Sequence, residues 1–135
     1  MLYRGCMFTL LFERKHRVLL TRFAGIFRRE VVEAQMVAAR RIEAVEGPTR
    51  ALYDFQDVES VDIPYATLSA MGQLPQTVPN QLRVYVMPRP ELFGMGRIFG
   101  AYQEFSGNRQ PLIYRTMADA YAALELKDPD FQPTC

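Results

Sequence analysis

Apolar and polar positions along this 135-residue chain change their spacing from block to block. Met7 to Glu13 and Val18 to Phe23 are short, apolar, β-prone runs. Arg14-Lys15-His16-Arg17 lies between them, which predicts a hairpin with a charged, solvated turn. His16 is the single histidine, expected at the surface of that turn. Gly25 is expected to break the second strand. From there the spacing becomes helical: Phe27, Val31, Ala34, Ala38, Ile42 and Val45 recur at steps of three or four and make one apolar stripe. Arg29, Glu33, Arg40 and Glu43 fall on the other side, and Gly47-Pro48 supplies the stop.

Thr49 to Phe55 reads as a strand, and Gln56 to Asp62 as an acidic loop. Asp62 can cap a short helix with Pro64 in its first turn, spanning about 63–74. Pro75 and Pro79 bracket a loop before the strand Arg83 to Met87. Pro90 can start a third helix that runs to about Phe105, and Leu112 to Tyr114 is a short strand. Thr116 and Asp119 resemble a capping box for a last helix, Met117 to Leu126. The tail 127–135 is polar, carries two prolines and is expected to be loose. The order ββαβαβαβα predicts an α/β fold with a mixed, mostly parallel sheet. One domain spans 1–135, with its core at about 7–126.

Composition narrows the function. About half the residues are apolar, enough for one core. A net charge of +1 argues against a nucleic-acid partner. Lys15 and Lys127 are the only lysines, and the arginines are scattered as a compositional bias would scatter them. Cys6 and Cys135 sit near opposite ends without metal-type spacing, so inert thiols in a reducing compartment, the cytoplasm, are expected. The apolar run before Glu13 is too short for a signal peptide, and no stretch is long enough to span a bilayer.

Three segments carry a family resemblance that covers about 7–126. They are Val18-Leu19-Leu20-Thr21-Arg22-Phe23-Ala24-Gly25 before the long helix, Arg50-Ala51-Leu52-Tyr53-Asp54-Phe55 before the acidic stretch, and Pro111-Leu112-Ile113-Tyr114-Arg115-Thr116-Met117-Ala118-Asp119-Ala120 at the end. The chain resembles the SpoIIAA-like proteins, relatives of the STAS domain of anti-sigma-factor antagonists. The resemblance implies a STAS-like superhelical β/α winding and a partner-binding role. It also implies a phosphorylated serine after an aspartate at the start of the second helix. The matching stretch is Asp62-Ile63-Pro64-Tyr65, which has the aspartate and lacks the serine. Ser60 falls too early and Ser69 too late, so the phosphorylation switch does not carry over.

The candidate chemistry is sparse. Asp54, Asp57, Glu59 and Asp62 could hold Mg²⁺ through oxygen ligands, and a magnesium-dependent enzyme is one reading. No calcium-loop spacing is present. Gly94-Met95-Gly96-Arg97-Ile98-Phe99-Gly100 lacks both the strand context and the glycine spacing of a phosphate loop. Its glycines are expected where the helix packs closely on another element. One histidine excludes a multi-histidine metal site, and no nucleophile elbow occurs. No cofactor is implied.

The third helix, by contrast, is apolar on most sides. Leu92, Met95, Phe99 and Tyr102 form a stripe that Phe93, Ile98, Ala101 and Phe105 widen, and the short helix adds Tyr65, Leu68 and Met71. The leading expectation is a non-catalytic interaction module, a homodimer or a binder of another protein, that docks through Tyr65, Leu68, Met71, Phe93, Met95 and Phe99. The alternative is a carrier or sensor of a small apolar ligand such as a fatty acid, held between these helices and the sheet.

Overall fold

The first two apolar runs do form a hairpin. The computed structural model describes residues 8–76 and 78–134, so Met7 and both cysteines lie outside the described residues. Strand β1 (Phe8–Glu13) pairs antiparallel with β2 (Val18–Arg28) across the turn 14–17. The basic turn is not merely solvated. Arg17 takes a positive φ of 57°, and its guanidinium lies 5.3 Å from the Phe12 ring centroid. It donates to the carbonyls of Glu46 and Pro48, closing the end of helix α1 (Arg29–Glu46).

Strand β3 (Arg50–Asp62), helix α2 (Tyr65–Gly72), strand β4 (Arg83–Val86), helix α3 (Pro90–Phe105), strand β5 (Leu112–Tyr114) and helix α4 (Met117–Ala123) follow in the expected order. A two-residue strand, β6 (Gln132–Pro133), ends the chain. The sheet order is β5-β4-β3-β2-β1-β6. Strands β2 to β5 are parallel sequential neighbours, β1 is antiparallel to β2, and β6 is antiparallel to β1. This is the mixed, mostly parallel α/β sheet that the alternation predicts.

Side-chain alternation divides the core in two. Leu19, Phe23, Phe55 and Met87 point to the face covered by α1 and α3, where they meet Val31, Ala38 and Leu92. Leu20, Leu52, Val84 and Val86 point to the opposite face and meet Ala120 and Leu124 of the α4 region. Thr116 Oγ accepts from the Asp119 N–H and caps α4, as its sequence predicts.

Several expectations change. Gly25 does not end β2: the strand runs on to Arg28 with Gly25 at a φ of 73°, beside register shifts on both sides. Phe27 is therefore a strand residue rather than the first of the helical stripe. At the far end of that stripe Val45 is 84% exposed, and the buried face of α1 is Val31, Gln35, Ala38 and Ala39. Gln35 is tolerated there because its amide donates to Thr21 Oγ1 at 3.0 Å.

The acidic segment Gln56 to Asp62 is not a loop but the second half of β3, pairing with β2 from Ala24 to Arg28 beyond the reach of β4. Val58 and Val61 anchor it to the core. Asp62 is the last residue of β3, and α2 begins at Tyr65 without a side-chain cap.

The tail is a further correction. β6 pairs with β1, and Thr134 Oγ1 donates to the Leu10 carbonyl at 3.1 Å. The reason lies in Glu13, a buried carboxylate. It accepts from the His16 N–H at 2.9 Å and the Asp130 N–H at 3.1 Å, and faces the His16 ring nitrogen at 3.1 Å. His16, expected at the surface, is thus only partly exposed. Burial works against the Glu13 charge, but these hydrogen bonds and the nearby imidazole outweigh it and hold the carboxyl at about 2. A depressed folded value stabilises the protein above the ordinary glutamate range, and the benefit is lost as pH falls from about 4.5 toward 2. We expect Glu13→Gln to lower stability at pH 7 by about 2 kcal/mol. Its unfolding free energy should also change less than wild type between pH 5 and 2. Equal acid sensitivity in urea titrations of both proteins would show that Glu13 does not fasten the tail.

Candidate ligand cavity

The face under α1 and α3 is not filled. A cavity of about 270 Å³ lies on it, with α1 along one side and α2 and α3 along the other. That volume is at the small end of the range for small-molecule sites. Phe23, Phe27, Tyr53, Phe55, Tyr85 and Met87 form the floor. Their positions follow from period-two alternation on β2, β3 and β4. The floor rings touch one another: Phe23–Phe27, Phe23–Phe55 and Tyr53–Tyr85 have centroids 4.9, 5.1 and 5.2 Å apart. Packed in this way, the floor cannot collapse into the space above it.

Helix α1 contributes Val32, Gln35 and Met36, at the spacing of one helical face. On the other side stand Leu68 and Met71 of α2 with Leu92, Met95 and Phe99 of α3. Glycines fix how closely these elements approach. A Cβ on Gly72 would lie 2.6 Å from the Tyr102 Cβ, and one on Gly96 would lie 2.5 Å from the Met87 sulfur. Gly100 sits against Gln110 and Pro111, whereas Gly94 meets nothing. Gly96 and Gly100 therefore mark close packing, the use expected of small residues in α3, and Gly94 does not.

The end of α2 is tied to α3 by polar bonds. Gln103, 3% exposed, donates to the Gly72 carbonyl at 2.6 Å, and Asn108 donates to the Leu74 carbonyl at 2.9 Å. These bonds close carbonyls that a helix end leaves open.

Polarity is uneven along the cavity. Near the start of α1, Phe27, Val61 and Ile63 are accompanied by Arg29 and Glu33, which bond each other at 2.8 Å. Near the start of β4, the lining includes Arg83, Tyr53, Tyr85, Gln35 and Gln81. Both tyrosines are half-buried. Burial pushes the Tyr53 hydroxyl far above the usual phenol range, aided by Tyr85 and Glu43 and opposed by Arg83 and Gln35. Burial likewise raises Tyr85, against the pull of Arg83. Both phenols stay protonated at neutral pH and can donate hydrogen bonds into the cavity.

Of the six docking residues read from the sequence, Leu68, Met71, Met95 and Phe99 line the cavity. Tyr65 does not: it is 67% exposed at the start of α2. Phe93 packs against the core with the Arg115 guanidinium 4.7 Å from its ring centroid. The four acidic residues are not gathered. Asp54 is buried on β3, 3.7 Å from Arg22, and accepts from the Gln56 N–H at 2.9 Å. Asp62 lies 3.9 Å from Arg28, with Asp57 and Glu59 exposed between them. Among the described residues no group of three or more His, Cys, Asp or Glu could hold a metal ion. The sequence reading missed the cavity floor and Arg83. The signal was available in Tyr53-x-Phe55 and Arg83-x-Tyr85-x-Met87, two runs whose alternate residues face one side.

An open α/β sheet with three helices over a hollow face defines a class of domain before any comparison is drawn. Among solved structures it is similar to an uncharacterized protein of the DUF3478 family with a SpoIIAA-like fold, from Shewanella loihica PV-4. The TM-score is 0.50 at 15% identity, over 79% of this chain and 83% of that one. The fold is SpoIIAA-like, as the resemblance implies. No family model and no curated relative matches the chain in sequence. Among the described residues no helix is long and apolar enough to cross a membrane.

Proposed function

We propose that this protein binds a small, mainly apolar molecule in the cavity between α1 and the α2–α3 pair. One observation carries the reading: a space of about 270 Å³ lies between α1 and the α2–α3 pair, and methionine, leucine and aromatic side chains surround it. Apolar walls left open to water cost stability, at about 25 cal/mol per Å². A ligand that fills the space recovers that loss. Met36, Met71, Met87 and Met95 give the walls the adaptability that ligands of variable shape require. Binding, rather than turnover, is the role assigned. The stretch that would hold a phosphorylated serine opens α2 with Tyr65, so control falls to the ligand alone.

A second reading, docking of a protein partner or a second copy, is favoured by the outer side of the same helices. Phe105 is 91% exposed there, with Tyr65 and Ile98 also exposed. Native mass spectrometry of freshly purified protein, repeated after organic extraction and after addition of 1-octanol, tests both readings. We expect an adduct of small-molecule mass that extraction removes and octanol replaces. A chain that is bare as purified and takes up no octanol overturns the ligand reading. A clean dimer in the same spectra would favour the second.

A further inference from the structure

Resting on the cavity reading, we propose that the ligand is a small carboxylic acid with an apolar tail, its carboxylate held by Arg83 at the Tyr53–Tyr85 end. Two cationic side chains line the cavity, Arg29 and Arg83. Arg29 is already neutralised by Glu33 at 2.8 Å. Arg83 forms no ion pair with any described carboxylate. Its Nη2 donates to the Arg109 carbonyl, while its Nε is buried and has no hydrogen-bond partner among the described residues. A guanidinium that lines an apolar cavity without a carboxylate partner is costly, and an anion in the cavity would supply the opposite charge.

The surroundings suit an oxyanion. Arg83, Tyr53 and Tyr85 line the same end of the cavity, with Tyr53 beside Tyr85 across β3 and β4. Both hydroxyls are protonated at neutral pH, so each has a hydrogen to give. A carboxylate placed there accepts from one guanidinium and two phenols, a set of donors that offers nothing to a neutral hydrocarbon. Glu43 influences Tyr53 but makes no ion pair with Arg83, and burial pushes its carboxyl toward the neutral form. The remaining walls, from Leu68 and Met71 to Phe27 and Val61, are apolar and take the tail. A volume of about 270 Å³ equals about nine waters at roughly 30 Å³ each, which sets the scale at a chain as short as octanoate.

The test is calorimetric titration of octanoate and of 1-octanol into the whole chain at pH 7. Wild type is expected to bind octanoate at least about tenfold more tightly than octanol, the worth of a charge-assisted hydrogen bond. Arg83→Met should erase that preference and leave octanol affinity within about twofold, while Arg83→Lys retains part of it. Equal wild-type affinities for acid and alcohol overturn the carboxylate assignment and leave the cavity reading standing. Binding of neither compound overturns both. Should Arg83→Met fail to fold, the wild-type comparison and Arg83→Lys still decide.

Discussion

Leu52→Ala is expected to destabilise the protein by about 3–5 kcal/mol, the largest effect of any single truncation considered. Leu52 is fully buried in β3, between β2 and β4, and it packs among Leu20, Val84, Val86 and Leu124 on the α4 face. A central strand with neighbours on both sides cannot shift to close the resulting hole, so the cost of the void adds to the lost burial. Domains of this size are stable by about 5–15 kcal/mol, so the variant loses a large share of the total. The midpoint of thermal unfolding should fall by roughly 10–20 °C. This face holds no part of the ligand cavity. Any Leu52→Ala protein that remains folded at low temperature should bind octanol as wild type does. A fall of only a few degrees would mean that the α4 face is looser than its packing shows.

The second large effect is on binding. Leu68→Trp places an indole in the cavity from its α2 side, where Leu68 is buried and forms part of the wall. Space for the extra atoms exists, so the variant avoids the overpacking that an added ring causes in a filled core. We expect at least a tenfold loss of affinity for octanol and octanoate together, with the melting temperature unchanged or raised. Retained affinity with an unchanged fold would place the ligand elsewhere.

These effects depend on features that the sequence displayed unequally. Strand and helix order followed from spacing and from Gly47-Pro48, Pro90 and Thr116, because each acts on its own neighbours. The second half of β3 was hidden for a physical reason. Gly25 pairs with Val58 and Ile26 with Ser60, so Glu59 bulges and Val58 and Val61 stand three apart rather than two. That spacing reads as a loop. The tail was hidden because its anchor, Glu13, lies at the other end of the chain. The α2–α3 wall of the cavity was legible in Leu68, Met71, Met95 and Phe99, whereas Tyr65 and Phe93 share their composition but not their direction. Helical phase on an isolated segment does not reveal which side faces the sheet. The empty volume itself could not be read, since it arises from how far α1 stands from α2 and α3.

Methyl-labelled methionine offers the most direct test of the cavity as a binding site. Met36, Met71, Met87 and Met95 line it, and Met117 packs on the opposite face of the sheet. On titration with octanoate, followed by carbon–proton NMR, the first four methyl signals should shift together and saturate while Met117 stays in place. Chain-proton contacts to Met71 and Met95 should appear in the same sample. Methyl signals that do not move as octanoate binds, or a Met117 signal that moves with them, would contradict a ligand between α1 and the α2–α3 pair.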